Sequence, residues 1–477
     1  MTDLSIRSTQ PPEGGIRIKL SRAGKIYLGL LTAAGKALIS VMRLAGRNAT
    51  TLPGKIIFWA GRKLPFYLTS GKHVTLITGT NGKTTTARIL CSIYEKAGYS
   101  VTSNISGANL ISGIITTLAE DHFTSEHNRR IVIEIDEGAF SRYADQLLPT
   151  CIVVTNLFRD QLDRYGELSR TREFIRNGIL KADGARVVMC SDDSLVASLA
   201  AQDIGDTTFF GITGEIPQAD KNSAEVSTEA GNCIFCGAKY EYSVRTYGHL
   251  GVFRCPDCGF GRPEPDIGFT YEHKGNNDYS ISLSSISADE IMIPIPGEHN
   301  VYNAAAAAAA AIATGISADK ISEGIRSSSA GFGRMEKFEV GGREVCIVLV
   351  KNPVGLDRAL SFLSNASDAG GVQFILNDNI ADGTDVSWIW DVDFESAHIP
   401  LPCHVSGSRA FDMALRLKYS GISQKDILTD KTVSRDFDSA LLSCGTGKCL
   451  YVFPNYTSML ELRSYLEKKY RLHGIWE

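Results

Sequence analysis

Val74-Thr75-Leu76-Ile77-Thr78 runs without a break into Gly79-Thr80-Asn81-Gly82-Lys83-Thr84-Thr85, and a helix-forming stretch follows. The apolar and β-branched run predicts a buried strand, and the glycines predict a tight turn into a helix. This order suits phosphate chemistry. Glycines let backbone N–H groups approach phosphate oxygens, the helix N-terminus adds a favourable dipole, Lys83 supplies a positive charge, and Thr84 offers a hydroxyl to Mg²⁺. ATP is therefore the expected ligand of Gly79, Thr80, Asn81, Gly82, Lys83, Thr84 and Thr85. Loops of this kind usually carry a further glycine where this chain has Ile77, so the motif is a shortened form. The alternative, a glycine turn that only caps a helix, leaves the Gly-Lys-Thr-Thr helix start unexplained.

Outward from the loop, short Val- and Ile-rich runs (HVTLIT, RIVIEI, CIVVTN, ARVVMC) are separated by stretches long enough for crossover helices, which predicts a parallel α/β sheet. Such sheets place ligands at the C-terminal ends of their strands. Two acidic strand ends qualify. The run 131–135 carries Glu134 and leads into Asp136 and Glu137, and the run 151–155 leads into Asn156, Arg159, Asp160 and Asp163. Glu134 joins Thr84 as a candidate Mg²⁺ ligand, while the alternative for acids at strand ends is helix capping. Near Lys221 the alternation stops, and a polar, cysteine-bearing stretch runs to about Pro265. Segments such as YSISLSSIS then look antiparallel, so an insertion interrupts the domain. An alanine run to Ala311 predicts a slim helix, and a second α/β series (VCIVLV, VQFILN, CHVSG, CLYVFP) follows Gly333. The expected fold class is α/β: an N-terminal amphipathic helical extension at 1–70, an ATPase domain at 71–333 with an insertion at 220–265, and a smaller α/β domain at 334–477.

Cys233-x-x-Cys236 and Cys255-x-x-Cys258 are separated by eighteen residues, a spacing that brings four thiolates around one tetrahedral Zn²⁺. Four thiolates leave no open position for water, so the metal is read as structural, stapling a ribbon too small to hold itself. The other seven of the eleven cysteines are scattered, several within apolar runs, and the reading is a reducing cytoplasm. Lys25 to Leu44 is apolar but interrupted by Lys36. It reads as an amphipathic helix docked on its own protein, with peripheral contact to a membrane surface as the second reading. The 477 residues carry 49 Lys plus Arg against 53 Asp plus Glu, a formal charge of -4, which gives no field for holding nucleic acid.

Taken together, G-T-N-G-K-T-T at 79–85, T-N-x-x-x-D-x-x-D-R-x-G at 155–166, G-x-H-N-x-x-N-A at 297–304 and G-R-M-E at 333–336 resemble the ATPase core of the Mur ligases. The resemblance implies an acyl phosphate made from ATP and a carboxylate, then attack by an amine. It also implies that Asn303 and Arg334 touch the nucleotide and that His299 and Asn300 shape the loop that positions it. The chain departs from the amino-acid-adding members. It has Gln161 where they carry a metal-binding His, Ile175 near the place of their metal-bridging lysine, and Val348-Leu349-Val350-Lys351-Asn352-Pro353 where they have Asp-Tyr-Ala-His-Asn-Pro. Lys351-Asn352-Pro353, the loop around Asp382-Gly383-Thr384-Asp385 and Pro454-Asn455-Tyr456-Thr457-Ser458, with the cysteine ribbon, are similar to one subfamily, MurT. These are synthetase subunits of bacterial lipid II isoglutaminyl synthase.

What this likeness implies is amidation of the D-glutamate α-carboxylate in the lipid II stem peptide, with ammonia from a separate GatD-type glutaminase subunit, in the cytoplasm at the inner face of the membrane. Lys83 and Glu134 then serve the phosphoryl transfer. Asp385 is the acid that orients the partner's histidine across the interface. The alternatives are a Mur-type or folylpolyglutamate-type ligase joining an amino acid, a zinc-ribbon nucleic-acid binder, and a scaffold without catalysis. By itself, the acid- and tryptophan-rich stretch 376–395 reads equally as a site or as Asp-turns followed by core aromatics.

Overall fold

Helices α1 (Arg22–Leu44), α2 (Leu52–Ala60) and α3 (Leu64–Thr69) lead into β1 (His73–Thr78) in the computed structural model. It describes residues 15–470 apart from 18–19, 45–49, 105–107, 123–127, 159–167, 202–203, 215–229, 247, 276–277, 287–289, 330–333 and 380. From β1 the chain alternates through α4 (Lys83–Lys96), β2 (Ser100–Ser103), α5 (Ile111–Asp121), β3 (Arg129–Glu134), α6 (Glu137–Tyr143), β4 (Cys151–Val154), α7 (Leu168–Lys181), β5 (Arg186–Cys190), α8 (Ser194–Ala200) and β6 (Thr207–Ile212). Val74, Leu76 and Ile77 of β1 are wholly buried, as a strand covered on both faces requires. Parallel partners lie on either side: Ile77 pairs with Glu134 of β3 and with Val153 of β4. The chain order reverses at β1, so the crevice beyond its C-terminal end is the place where such sheets bind ligands.

The insertion holds the hairpin β7 (Glu241–Arg245) and β8 (Gly251–Arg254), and the chain rejoins the sheet at β9 (Ile267–Gly275), parallel to β6. Antiparallel β10 (Asp278–Leu283) and β11 (Ile291–Ile293) complete nine strands in the order β11-β10-β9-β6-β5-β4-β1-β3-β2. Helices α9 (His299–Ala313) and α10 (Ala318–Arg326) cover the same face as α4. Ala304 to Ala311 of α9 are all buried, and their methyl side chains let the helix lie close against the sheet. On the other face, Leu28, Ile57, Phe58, Leu64 and Leu68 dock the three N-terminal helices into the core that holds β1 and β3.

The second domain runs β12 (Arg334–Val340), β13 (Arg343–Val348), α11 (Pro353–Ser364), β14 (Ala369–Ile375), β15 (Cys403–Ser406), α12 (Ala410–Tyr419), β16 (Ile427–Asp430), α13 (Val433–Ser443), β17 (Cys449–Pro454) and α14 (Tyr456–Tyr470). Its six strands are ordered β12-β13-β17-β14-β15-β16, with β12 antiparallel and the rest parallel. The polar edge strands β2 (SVTS) and β16 (ILTD) and the glycine-bearing β6 are not among the runs picked out by hydrophobicity. A short edge strand needs only one apolar face, and its polar residues hide it.

Candidate functional site

The phosphate loop is pressed between β4 and α9, and its glycines are forced by that confinement. Gly82 has φ +82°, and a Cβ there would lie 1.9 Å from Asn303 Oδ1; Gly79 has φ +121°, and its Cβ would lie 2.4 Å from Thr155 Oγ1. Only glycine adopts these angles in so little space. The residues after β4 then tie the loop down. Thr80 N donates to Asn156 O (2.9 Å), Asn81 N to Asn156 Oδ1 (2.9 Å), Thr155 Oγ1 to Asn81 O (2.8 Å), and Thr80 Oγ1 to Phe158 O (3.0 Å). On α9, Asn300 Nδ2 donates to Pro296 O (2.7 Å) and Asn303 Nδ2 to Asn300 Oδ1 (2.9 Å), so His299, Asn300 and Asn303 lie in the turn that flanks the loop.

Lys83, Thr84 and Glu134 converge. Lys83 Nζ is buried and donates to Gly79 O, to Thr80 O (3.3 Å) and to Glu137 Oε1 (2.9 Å). Burial alone would push the ammonium's pKa down, but Glu137, with Glu134 and Asp136 near by, outweighs it and holds the pKa above the ordinary lysine value. The Thr84 hydroxyl donates to Glu134 Oε2, and the Glu134 backbone is clamped by Asn104 through bonds of 3.0 and 2.8 Å. A hydroxyl and a carboxylate in contact beside a buried lysine form the donor set that Mg²⁺ and a phosphate chain would take, so the residues fit ATP with Mg²⁺. Asp136 takes the capping role, accepting from Gly138 N and Ala139 N at the start of α6. Sequence reading missed Glu137 as the partner of Lys83. Asp160, Gln161 and Asp163 lie outside the described residues, as does the Arg334 side chain; the Arg334 backbone opens β12.

The second domain reaches back to this loop. Lys351 Nζ donates to Thr80 O (3.4 Å) and Asn352 Nδ2 to Asn81 Oδ1 (3.1 Å), while Asn352 Oδ1 caps α11 through Gly355 N (2.8 Å). Arg358 of the same helix meets Glu298 (3.5 Å). The sequence does not disclose these contacts, since Lys351-Asn352-Pro353 marks there only a departure from the amino-acid-adding pattern.

Asp385 stands apart. It is exposed in a surface hollow with Thr384, Trp390, Arg409 and Asp412, none of them from the phosphate loop. Its carboxylate accepts from Ser387 N (2.8 Å), and the Ser387 hydroxyl and amide hold its pKa below the ordinary aspartate value. Behind it, buried Asp382 accepts from Thr457 N (2.8 Å) and from Thr457 Oγ1, which pins the loop to the start of α14. Trp390 is 47% exposed, so this tryptophan is not a core aromatic.

The four thiols Cys233, Cys236, Cys255 and Cys258 come together with their Sγ atoms all within 4.8 Å of one another, close enough to hold one metal ion. Two like turns build the cluster. Gly237 N donates to Cys233 O (2.8 Å) and Gly259 N to Cys255 O (3.2 Å), with φ +81° and +76° at the two glycines. The hairpin tip then enters the core of the first domain. A Cβ on Gly248 would lie 2.6 Å from the Phe158 ring, His249 Nε2 lies 3.2 Å from Asp193, Leu250 is wholly buried, and Gly251 N donates to Asp192 O (2.9 Å).

Residues 77–253 match the Mur ligase middle domain family, and residues 349–459 match the MurT ligase C-terminal family. The fold is similar to that of a pseudomurein peptide ligase type C from Methanothermus fervidus, with a TM-score of 0.61 and 25% identity over 83% of this chain and 79% of that one. Fold and site together define an ATP-dependent ligase of the Mur type. The chain is 34% identical over 449 residues to the lipid II isoglutaminyl synthase (glutamine-hydrolyzing) subunit MurT of Streptococcus pneumoniae R6, covering 93% of this chain and 98% of that protein. It is 30% identical over 436 residues to the subunit of the same name from Staphylococcus aureus COL, covering 90% and 95%. The chain belongs to the MurT family.

Proposed function

We propose that this subunit amidates the α-carboxylate of D-glutamate in the lipid II stem peptide, turning it into D-isoglutamine with ammonia released from glutamine by a GatD-type partner. The reading is carried by the loop's dual grip: Lys351 and Asn352 of the second domain meet Thr80 and Asn81 from one side, while Asn303 closes the other. A carboxylate reacts with ammonia only after one oxygen becomes a leaving group, so the γ-phosphate of ATP is first transferred to it. Backbone amides of Gly79 to Thr85 would hold the phosphates. Lys83 would leave Glu137 to neutralise the transferring group, and Thr84 and Glu134 would hold Mg²⁺, which supplies charge neutralisation when bound. Ammonia then attacks the acyl carbon and expels phosphate. This nucleophile needs no amino-acid pocket, which suits Lys351-Asn352-Pro353 in place of the Asp-Tyr-Ala-His-Asn-Pro stretch.

Asp385 belongs to the partner's chemistry in this reading. Its exposed carboxylate would orient an imidazole of the glutaminase and stabilise its protonated form. The four thiols would hold structural Zn²⁺, and the complex would work in the cytoplasm, against the inner face of the membrane where lipid II is carried. The test is to co-purify the chain with the glutaminase of the same organism and to follow lipid II by mass spectrometry with ATP and glutamine. Exchange of OH for NH₂ on the stem peptide is expected. Addition of an amino-acid mass without glutamine dependence would place the chain with the amino-acid-adding ligases instead.

A further inference from the structure

Helix α1 docks through a narrow stripe. Leu28, Thr32, Gly35 and Ile39 are buried, and a Cβ on Gly35 would lie 2.8 Å from Ile57 Cδ1, so α1 lies tightly along α2. The outward side of this pair is apolar. Ile26 (57% exposed), Leu30 (68%), Leu44 (89%), Ile56 (48%) and Trp59 (78%) all face away from the protein, and no element among the described residues covers them. Helix α1 is long and apolar enough to cross a membrane, yet its docked stripe, with Lys36 near its middle, holds it flat on the ATPase domain. The charge around this face is one-sided. Between Glu13 and Glu95 the sequence contains no acid and thirteen lysines and arginines, in a chain whose formal charge is -4. Lys25, Lys55, Arg62 and Lys63 are exposed on or just beyond the two helices.

We infer that the outer face of α1 and α2 is a docking surface for an anionic lipid bilayer, lying in the headgroup region with Leu30 and Trp59 inserted and the cations on lipid phosphates. Exposed apolar side chains flanked by lysine and arginine, with no carboxylate on either helix and Glu120 of α5 pairing only with Arg43 at the end of α1, match the chemistry of an interfacial helix. The inference rests on the proposed function only for its purpose, which is to bring the ligase to a membrane-borne substrate; the binding is a property of this face alone.

The experiment is vesicle flotation of the full chain with its glutaminase partner, without lipid II or ATP. Vesicles of phosphatidylcholine alone are compared with vesicles of equal phosphatidylcholine and phosphatidylglycerol. The protein should float with the anionic vesicles about tenfold more than with the neutral ones, and added salt should weaken this. Leu30→Ser with Trp59→Ser should lower flotation by about tenfold, as loss of the inserted side chains requires. Both positions are exposed, so an unchanged melting temperature and unchanged amidation of detergent-solubilised lipid II should accompany the loss. Flotation of the double variant equal to the parent, or a parent that stays at the bottom with both vesicles, would overturn the inference. So would sedimentation that finds a dimer of the parent and a monomer of the variant, since the face would then bind a second copy. Failure of amidation in detergent by the parent would instead refute the proposed function and leave the flotation result standing.

Discussion

Replacing Lys83 by alanine should do two separable things. The ammonium is 9% exposed and Glu137 7% exposed, with 2.9 Å between them, and Glu134 and Asp136 crowd the same cation. Removing one member of a buried pair strands the other, and such changes destabilise by about 3–5 kcal/mol. Lys83→Ala should therefore lower the unfolding free energy of the nucleotide-free protein by about this amount, read as a shift of the urea midpoint at unchanged slope. Glu137→Gln in the same chain removes the stranded charge and should restore most of the loss. Activity should behave differently: both the single and the double variant should lack ATP-dependent amidation, because neither offers a cation to the phosphates. The lysine's pKa is raised by folding, so its stabilising contribution is complete below the unfolded value of about 10.4 and fades only as pH rises through the higher folded value. The difference between parent and variant should thus be flat across neutral pH. A loss under about 1 kcal/mol, or a double variant no more stable than Lys83→Ala, would refute the buried-pair argument. Amidation by either variant at the parent rate would refute the assignment of the loop.

Cys255→Ser should lower bound zinc, measured by elemental analysis, together with the melting temperature, with activity falling only as far as folding does. Asp385→Asn should cut glutamine hydrolysis by the complex by orders of magnitude, and free ammonium should bypass the defect in amidation while failing to rescue Lys83→Ala. Burial raises the Asp357 carboxyl to about 6, so the neutral form is favoured in the fold and stability is lost as pH rises through that value. Denaturation at acid and at neutral pH should show Asp357→Asn gaining on the parent by about 3 kcal/mol only on the neutral side.

The strand, glycine loop and helix start at 74–85 were readable because the pattern is contiguous: apolar run, glycines, lysine and threonine follow one another within twelve residues. The cysteine cluster was readable for the same reason, since two short turns set the positions of all four thiols. Glu137 was harder. It follows Glu134 by three residues, and nothing in the spacing says that the strand residue meets Thr84 while the first residue of α6 meets Lys83. The grip of Lys351 and Asn352 on Thr80 and Asn81 joins positions some 270 apart, and it depends on how two domains pack, which no local pattern records. Trp388 and Trp390 show the limit of composition. Two positions apart in a short 3₁₀ turn, Trp388 packs against the core of the second domain, while Trp390 meets Tyr419 at the surface.

The cysteine insertion leaves the sheet after β6 and returns at β9, and these two strands are hydrogen-bonded neighbours, with Phe210 opposite Ile267. They run parallel, so a crossover of about a dozen residues or more would have to replace the insertion, and given one, backbone geometry alone would let the insertion come and go as a cassette. Side chains forbid it. The hairpin tip delivers Leu250 and His249 to the interior beside Phe158, whose carbonyl receives the Thr80 hydroxyl. Excision would open a hole under the phosphate loop, and losing even one buried leucine costs about 2–5 kcal/mol. A lineage that has acquired this cassette cannot shed it in one step, and an engineer who trims it must refill the space beneath Phe158 before the nucleotide loop will hold its shape.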